Sequence, residues 1–180
     1  MPFDILAYAN HYPMAPLGGL FVGTVGVFII LGATLARYRM PLPWIGFACG
    51  IAALILGAPL QAGLPNPSLL QAGSLGLAIT LEIIAFRFFM PRFRAAGPRT
   101  LITGSLGIVG LHFFIMLPTF GPLIGLLALL CTLNAAAAWK LDTYRSGQAW
   151  FVDGLLKIAL GGWMLTTSPL MQAFLSHRAV

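Results

Sequence analysis

The chain has 180 residues, of which 59% are hydrophobic and only 8% are charged, and its formal net charge is +6. Soluble domains have roughly 25% charged residues, so this chain has too little polar surface for an ordinary water-soluble fold. Its basic residues lie singly or in small groups between apolar blocks and do not form a dense patch with interleaved aromatic residues, which argues against a nucleic-acid partner. We therefore predict an all-α membrane protein whose main surroundings are the lipid bilayer.

Apolar blocks of about twenty residues recur along the chain, the length a helix needs to cross roughly 30 Å of hydrocarbon. Residues 1–14 mix apolar and polar side chains and are predicted to form an interfacial N-terminal segment. A six-helix transmembrane domain is predicted over residues 15–171, followed by a C-terminal tail at 172–180. The predicted spans cover residues 15–36, 43–63, 68–89, 100–117, 122–139 and 149–171, with Pro or Gly near almost every boundary.

The orientation of this bundle is predicted from the lysines and arginines of its short loops. The connections after spans one, three and five are basic, whereas those after spans two and four have no basic residue. The basic connections should be cytoplasmic, which places both termini outside (N-out, C-out), and only Arg178 opposes this assignment. We expect the protein in a bacterial cytoplasmic (inner) membrane. The basic residues used are Arg37, Arg39, Arg87, Arg92, Arg94, Arg99, Lys140 and Arg145.

Two halves of the sequence resemble each other. LFVGTVGV at 20–27 and LITGSLGI at 101–108 share Leu, Gly, Thr/Ser and Gly in register, and PWIG at 43–46 matches PLIG at 122–125. The matches pair spans one to three with spans four to six. Because three is an odd number, the second unit would be inverted relative to the first, an arrangement that recurs in secondary transporters. Chance similarity between segments rich in Gly, Leu and Ile is the alternative.

Polar side chains inside the predicted spans are the candidate functional residues. Ionisable groups at membrane depth are costly and usually face protein or water, so they mark a functional site by default. At 1.5 Å per residue from the predicted cytoplasmic boundary, four of these candidate residues lie about 6 to 14 Å deep, and a fifth, His112, lies at about 18 Å. The five candidates for substrate or ion binding are Glu82, His112, Asn134, Asp153 and Lys157.

The segment FVDGLLKIALGGW, residues 151–163, contains two of these residues. Asp153 and Lys157 are spaced i and i+4 with the acid first, so they share one helical face in the favourable order. Lys157 has two potential carboxylate partners, Asp153 beside it and Glu82 across a helix interface. In the structural interpretation, Lys157 and its carboxylate partner neutralise each other's charge, and no substrate is involved. The functional interpretation is a polar cavity lined by Glu82, Asn134, Asp153 and Lys157, with His112 as a proton relay.

Other chemistries have little support in the sequence. Cys49 and Cys131 fall inside predicted spans without a CxxC motif and are interpreted as small buried side chains. The three histidines are too few for a membrane metal centre or paired haem ligation. No phosphate-binding loop or hydrolase motif occurs. We predict no metal, no cofactor and no catalytic residue.

Three functions are consistent with this pattern. The favoured one is a transporter or channel for a small solute or a proton-linked substrate, acting as a homo-oligomer or within a larger membrane complex. The second is a non-catalytic accessory or scaffold subunit of such a complex. The third, less expected, is an intramembrane enzyme acting on a lipid or hydrophobic cofactor, with His112 and Glu82 or Asp153 as acid and base.

Overall fold

The structure, a computed structural model, describes residues 4–35 and 41–177. All regular secondary structure in these two ranges is helical, which confirms the predicted all-α class. A 3₁₀ turn at Ala58–Gln61 lies between the third and fourth helices. The helices are α1 Ile5–His11, α2 Ala15–Thr34, α3 Pro41–Leu56, α4 Leu69–Ala96, α5 Pro98–Ile115, α6 Leu117–Phe120, α7 Pro122–Lys140, α8 Ser146–Leu165 and α9 Pro169–His177.

Four of the helices, α2, α4, α5 and α7, are long and apolar enough to cross a membrane by length and composition. The apolar helix α3 is shorter. Large apolar side chains face outward on the bundle, for example Ile83 at 63% and Leu111 at 56% exposure. A surface of this kind is unfavourable in water and compatible with lipid acyl chains. The helices therefore indicate a membrane-associated bundle.

The helices at the second and third predicted spans end at other residues than those spans. Span two was predicted to reach residue 63, but α3 ends at Leu56. Pro59 lacks the N–H that would continue the helix, and a 3₁₀ turn follows instead. Span three was predicted to end at 89, but α4 continues through Pro91 to Ala96. Its 28 residues correspond to about 42 Å, so α4 is longer than the hydrocarbon layer is thick.

The sixth predicted span, 149–171, is divided into two helices, and α9 also takes in most of the predicted tail. The main helix α8 ends at Leu165, and α9 begins at Pro169. The hydroxyls of Thr166 and Thr167 donate to carbonyl oxygens in the last turn of α8, at 2.7 and 2.6 Å. These bonds satisfy helix-end carbonyls, and Pro169 cannot supply an N–H to extend α8.

The connections between α4 and α5 and between α7 and α8 meet at one end of the bundle, which we call the basic end. Arg99, at the start of α5, donates to the carbonyls of Ala138 and Leu141 at 2.9 and 2.8 Å. It also pairs with Asp142 at 2.7 Å. Thr34, at the end of α2, lines a cleft there with Tyr144. Arg37, Arg39 and Arg178 lie outside the described residues, and the N-out, C-out orientation stays a prediction.

The N-terminal helix α1 packs onto the opposite end of the bundle. Tyr8 and Ala9 are buried, and the Tyr8 hydroxyl donates to the carbonyl of Phe120 at 2.5 Å. The Gln71 amide donates to the carbonyl of His11 at 2.8 Å. The predicted interfacial segment is thus joined to the bundle by its own core contacts and hydrogen bonds.

Glycines allow α2 and α8 to pack with their backbones in contact. A Cβ atom added to Gly19 would lie 2.4 Å from the carbonyl oxygen of Gly161. One added to Gly161 would lie 2.7 Å from both the Gly19 oxygen and the Gly23 nitrogen. Small residues of this kind let membrane helices approach closely. The α2–α8 pair is joined through α7 to a second close pair, α5 and α7.

We expect Gly161→Ala to lower the free energy of unfolding by about 1 to 3 kcal/mol, because the methyl group would overlap backbone atoms that cannot move independently. Gly162→Ala is the matched control, since a Cβ atom there meets no atom within 4 Å and alanine favours a helix. Unfolding of both purified variants in detergent, followed by circular dichroism, measures the difference. Equal stability of the two variants would contradict the close contact.

Candidate functional site

The centre of the candidate site is the ion pair on α8. The Lys157 ammonium donates to Oδ2 of Asp153, one helical turn earlier. The two side chains are 2% and 0% exposed, respectively. Lys157 therefore makes its ion pair with Asp153, and neither charged group faces an open, water-filled cavity. This arrangement agrees with the neutralisation interpretation and differs from the hydrated cavity that the functional interpretation places around the pair.

Helices α2, α5 and α7 enclose the pair. A Cβ atom on Gly26 of α2 would lie 2.9 Å from Cβ of Lys157, so the absence of a side chain at Gly26 lets α2 cover the lysine stem. Cys131 of α7 has its Sγ 4.0 Å from the ammonium nitrogen. The Phe113 ring of α5 has its centroid 5.6 Å from that nitrogen, within the range of a cation–π interaction.

One oxygen of the Asp153 carboxylate has no hydrogen-bond partner. Oδ1 is buried without a donor, and the buried hydroxyl of Thr132 on α7 is also unpartnered. Buried carboxylate oxygens normally accept hydrogen bonds, because an unsatisfied one carries an uncompensated desolvation cost. Oδ1 is thus a buried acceptor without a well-placed donor in the interior of the bundle.

A second ionisable pair joins α4 to α5. Nδ1 of His112 lies 2.6 Å from the carbonyl oxygen of Val109, and because a carbonyl only accepts, Nδ1 carries a hydrogen. Nε2 is therefore directed at Glu82, whose Oε2 is 3.7 Å away. That separation is too long for a hydrogen bond, but it is short enough for the two ionisable groups to influence each other's charge. Glu82, at 22%, is the most exposed of the five candidate residues.

The two pairs are neighbours, and we call Glu82, His112, Asp153 and Lys157 the buried charge cluster. The rings of His112 and Phe113 have their centroids 4.3 Å apart, and Phe113 in turn faces Lys157. The charge of Lys157 acts on both Glu82 and His112. His112 was predicted to lie deeper than the other residues, yet it lies beside Glu82.

Asn134 has a different position from the predicted one. Its Nδ2 donates to the carbonyl of Ala149 at 2.8 Å, and its Oδ1 accepts from the Tyr144 hydroxyl at 2.5 Å. Burial raises the pKa of Tyr144, and the negative charge of Asp153 raises it further, so the phenol stays protonated at neutral pH. Asn134 therefore fastens α7 to the start of α8, with both ends of its amide already bonded.

The sequence interpretation missed Phe113, Cys131, Thr132 and Tyr144 as neighbours of the site. A signal existed for Cys131, which precedes Asn134 by three residues and so shares its face of α7. Phe113 adjoins His112 in sequence, but its contact with Lys157 depends on how α5 and α8 pack. Across residues 4–35 and 41–177, no group of three His, Cys, Asp or Glu side chains is arranged to hold a metal ion.

We expect Lys157→Met alone to destabilise the bundle by about 3 to 5 kcal/mol, because it leaves the Asp153 carboxylate buried without a counter-charge. The double variant Asp153→Leu with Lys157→Met should recover most of this loss. Unfolding in detergent of the two single variants and the double variant forms a double-mutant cycle. Asp142→Asn, at an exposed ion pair, is the control and should change stability little. Additive losses would show that the two charges are not coupled.

Comparison with known proteins gives one match. No curated protein and no solved structure is significantly similar to the sequence. A family model matches residues 7–173, a range that contains α2 to α8 and all five candidate residues. Its description is "Family of unknown function (DUF6609)". Because the match covers most of the chain, the protein belongs to the DUF6609 family.

Proposed function

We propose that the protein is a small multi-pass membrane transporter or channel that moves a small solute by a proton-linked mechanism. In this proposal α2, α3, α4, α5, α7 and α8 cross a bacterial inner membrane, with both termini outside. The observation that carries it is the buried charge cluster, in which ionisable groups from α4, α5 and α8 lie together inside the bundle. Ionisable groups at membrane depth are costly and are characteristic of ion pathways and proton relays.

The proton-exchanging step is assigned to Glu82 and His112. Asp153 and Lys157 cancel each other's charge. When the Glu82–His112 pair takes up or releases one proton, the net charge of the cluster therefore changes by one. In a low-dielectric interior, an ionised Glu82 favours hydration of its surroundings, whereas a neutral Glu82 favours dry packing. Protonation is thereby linked to opening and closing of the bundle.

The place where the bundle would open is the contact between α4 and its neighbours. In the most apolar 18-residue stretch of α4, only 17% is buried inside the bundle, compared with 44% for the corresponding stretch of α7. The main partners of α4 are α5 and α6. A shift of α4 would disturb fewer packed side chains than a shift of α7, and it would expose Glu82 first. This is the reason for assigning solute or proton entry to Glu82 rather than to the enclosed Lys157.

Helix packing also supports the inverted-repeat hypothesis. The main neighbours of α2 are α3 and α8, and those of α5 are α7 and α4. When spans one, two and three are paired with four, five and six, these two sets of neighbours correspond. Glu82 then belongs to the first unit and His112 to the second, so their contact lies between the units. Transporters with inverted repeats have their substrate sites at this interface.

Solute-dependent currents in proteoliposomes on a solid-supported membrane test the proposal. We expect at least one class in a panel of organic acids, amino acids, sugars and organic cations to give a current with wild-type protein under a pH gradient. Glu82→Gln keeps the side-chain size but cannot release a proton, so the current should fall at least tenfold. Asp142→Asn, an equivalent change outside the cluster, should leave it unchanged. Wild-type currents unaffected by Glu82→Gln would refute the mechanism.

The second candidate is a non-catalytic accessory subunit of a larger membrane complex. The specific observation in its favour is the enclosure of Asp153 and Lys157, which need no substrate to be stabilised. This function predicts no current for any solute class and a stoichiometric partner after purification in mild detergent. It also predicts that the Asp153→Leu, Lys157→Met double variant keeps that partner.

The enzyme hypothesis has the least support. His112 and Glu82 are 3.7 Å apart, beyond direct hydrogen-bond distance, and Nδ1 of His112 is already bonded to Val109.

A further inference from the structure

Two adjoining clefts open at the basic end, away from the buried charge cluster. The first has a volume of about 590 Å³ and is lined by Arg99, Arg145, Asp142 and the first turn of α8. The second, of about 410 Å³, lies between the end of α2 and the start of α8. Tyr144, Gly147 and Gln148 line both clefts, so the two meet at the start of α8.

The first cleft suits an anion. Its walls contain two arginines and one aspartate, a net charge of +1. The carbonyls of Ala138 and Leu141 hold the Arg99 guanidinium in place. Asp142 pairs with Arg99 but is 96% exposed, so solvent screens that pair and an incoming anion can compete with it. The first turn of α8 adds backbone N–H groups that have no carbonyl partner within the helix.

The second cleft suits a hydrocarbon chain. Ala33 of α2 and Phe151 and Val152 of α8 contribute apolar walls, with Thr34 at the end of α2. Phe151 is 39% exposed, which leaves apolar surface available at this position. A free phosphate ion would use the first cleft and leave this apolar surface uncovered. A molecule with a phosphate joined to an acyl chain would use both clefts.

We propose that the basic end binds an anionic phospholipid, with its phosphate against Arg145 and Arg99 and the first part of an acyl chain against Phe151 and Val152. Basic pockets between membrane helices near the surface bind anionic headgroups in this way. The bound lipid contacts the end of α2, the α7–α8 connection and the start of α8, so it stabilises the bundle where these helices meet. This site is separate from the proposed transport site and does not depend on it.

Binding of phosphatidylglycerol to the full chain in detergent, measured by native mass spectrometry and by the thermal unfolding temperature, tests the proposal. We expect phosphatidylglycerol to bind and to raise the unfolding temperature more than phosphatidylcholine with the same acyl chains. Arg145→Gln should weaken phosphatidylglycerol binding about fivefold, the effect of one arginine near a lipid surface. Arg94→Gln, an exposed arginine near the same end that lines neither cleft, is the control and should bind like wild type.

A second variant and a second ligand separate the lipid from a free phosphate. Phe151→Ala should weaken binding of phosphatidylglycerol, because it removes apolar wall from the second cleft. Inorganic phosphate alone should give no comparable rise in the unfolding temperature. The proposal is overturned if inorganic phosphate stabilises the protein as well as phosphatidylglycerol does. Equal loss of lipid binding in Arg145→Gln and Arg94→Gln would also overturn it, since general surface charge would then explain the binding.

Discussion

The enclosure of Lys157 with Asp153 is the interaction on which the rest of the bundle depends. An unpaired charge in an apolar interior is costly, so the ammonium needs a carboxylate beside it, and Asp153 supplies one from the preceding helical turn. Helix α2 can cover this pair only because Gly26 and Gly154 bring the two backbones together. Phe113 and Cys131 complete the enclosure from α5 and α7. The tight α2–α8 contact therefore makes an unpaired charge at either position costly.

The Asp153–Lys157 pair and the Glu82–His112 pair differ in how far they are exposed at the surface of the bundle. The proposed mechanism depends on this difference. The first pair is sealed and internally neutral, which makes it a fixed electrostatic background. The second lies between α4 and α5, is partly exposed and has an imidazole nitrogen directed at a carboxylate. In the proposed mechanism, protons are gained and lost there while the central packing stays intact. The first pair also contains a buried oxygen, Oδ1 of Asp153, without a hydrogen-bond partner.

The two ends of the bundle are held by polar contacts of different kinds. At the basic end, Arg99 binds the last carbonyls of α7, and Asn134 joins α7 to α8 through Tyr144 and Ala149. At the opposite end, α1 is attached through Tyr8 and Gln71. The clefts of the basic end open beside the Asn134–Tyr144 contact. A lipid bound there would therefore act on the same helix junction that positions the start of α8.

The sequence by itself determined the helical class, the apolar character and the shared helical face of Asp153 and Lys157, because spacing along one helix follows directly from its 3.6-residue period. It left open whether Asp153 or Glu82 is the partner of Lys157, which the structure decided in favour of Asp153. The helices α3, α4 and α8 end at other residues than the predicted spans. Proline follows the ends of α3 and α8, whereas α4 continues through Pro91 and ends before Gly97. Only the tertiary structure placed His112 beside Glu82, Cys131 beside Lys157 and Asn134 against Tyr144. Each of these contacts joins different elements, and their relative tilt and offset are set by side-chain packing over the whole interface.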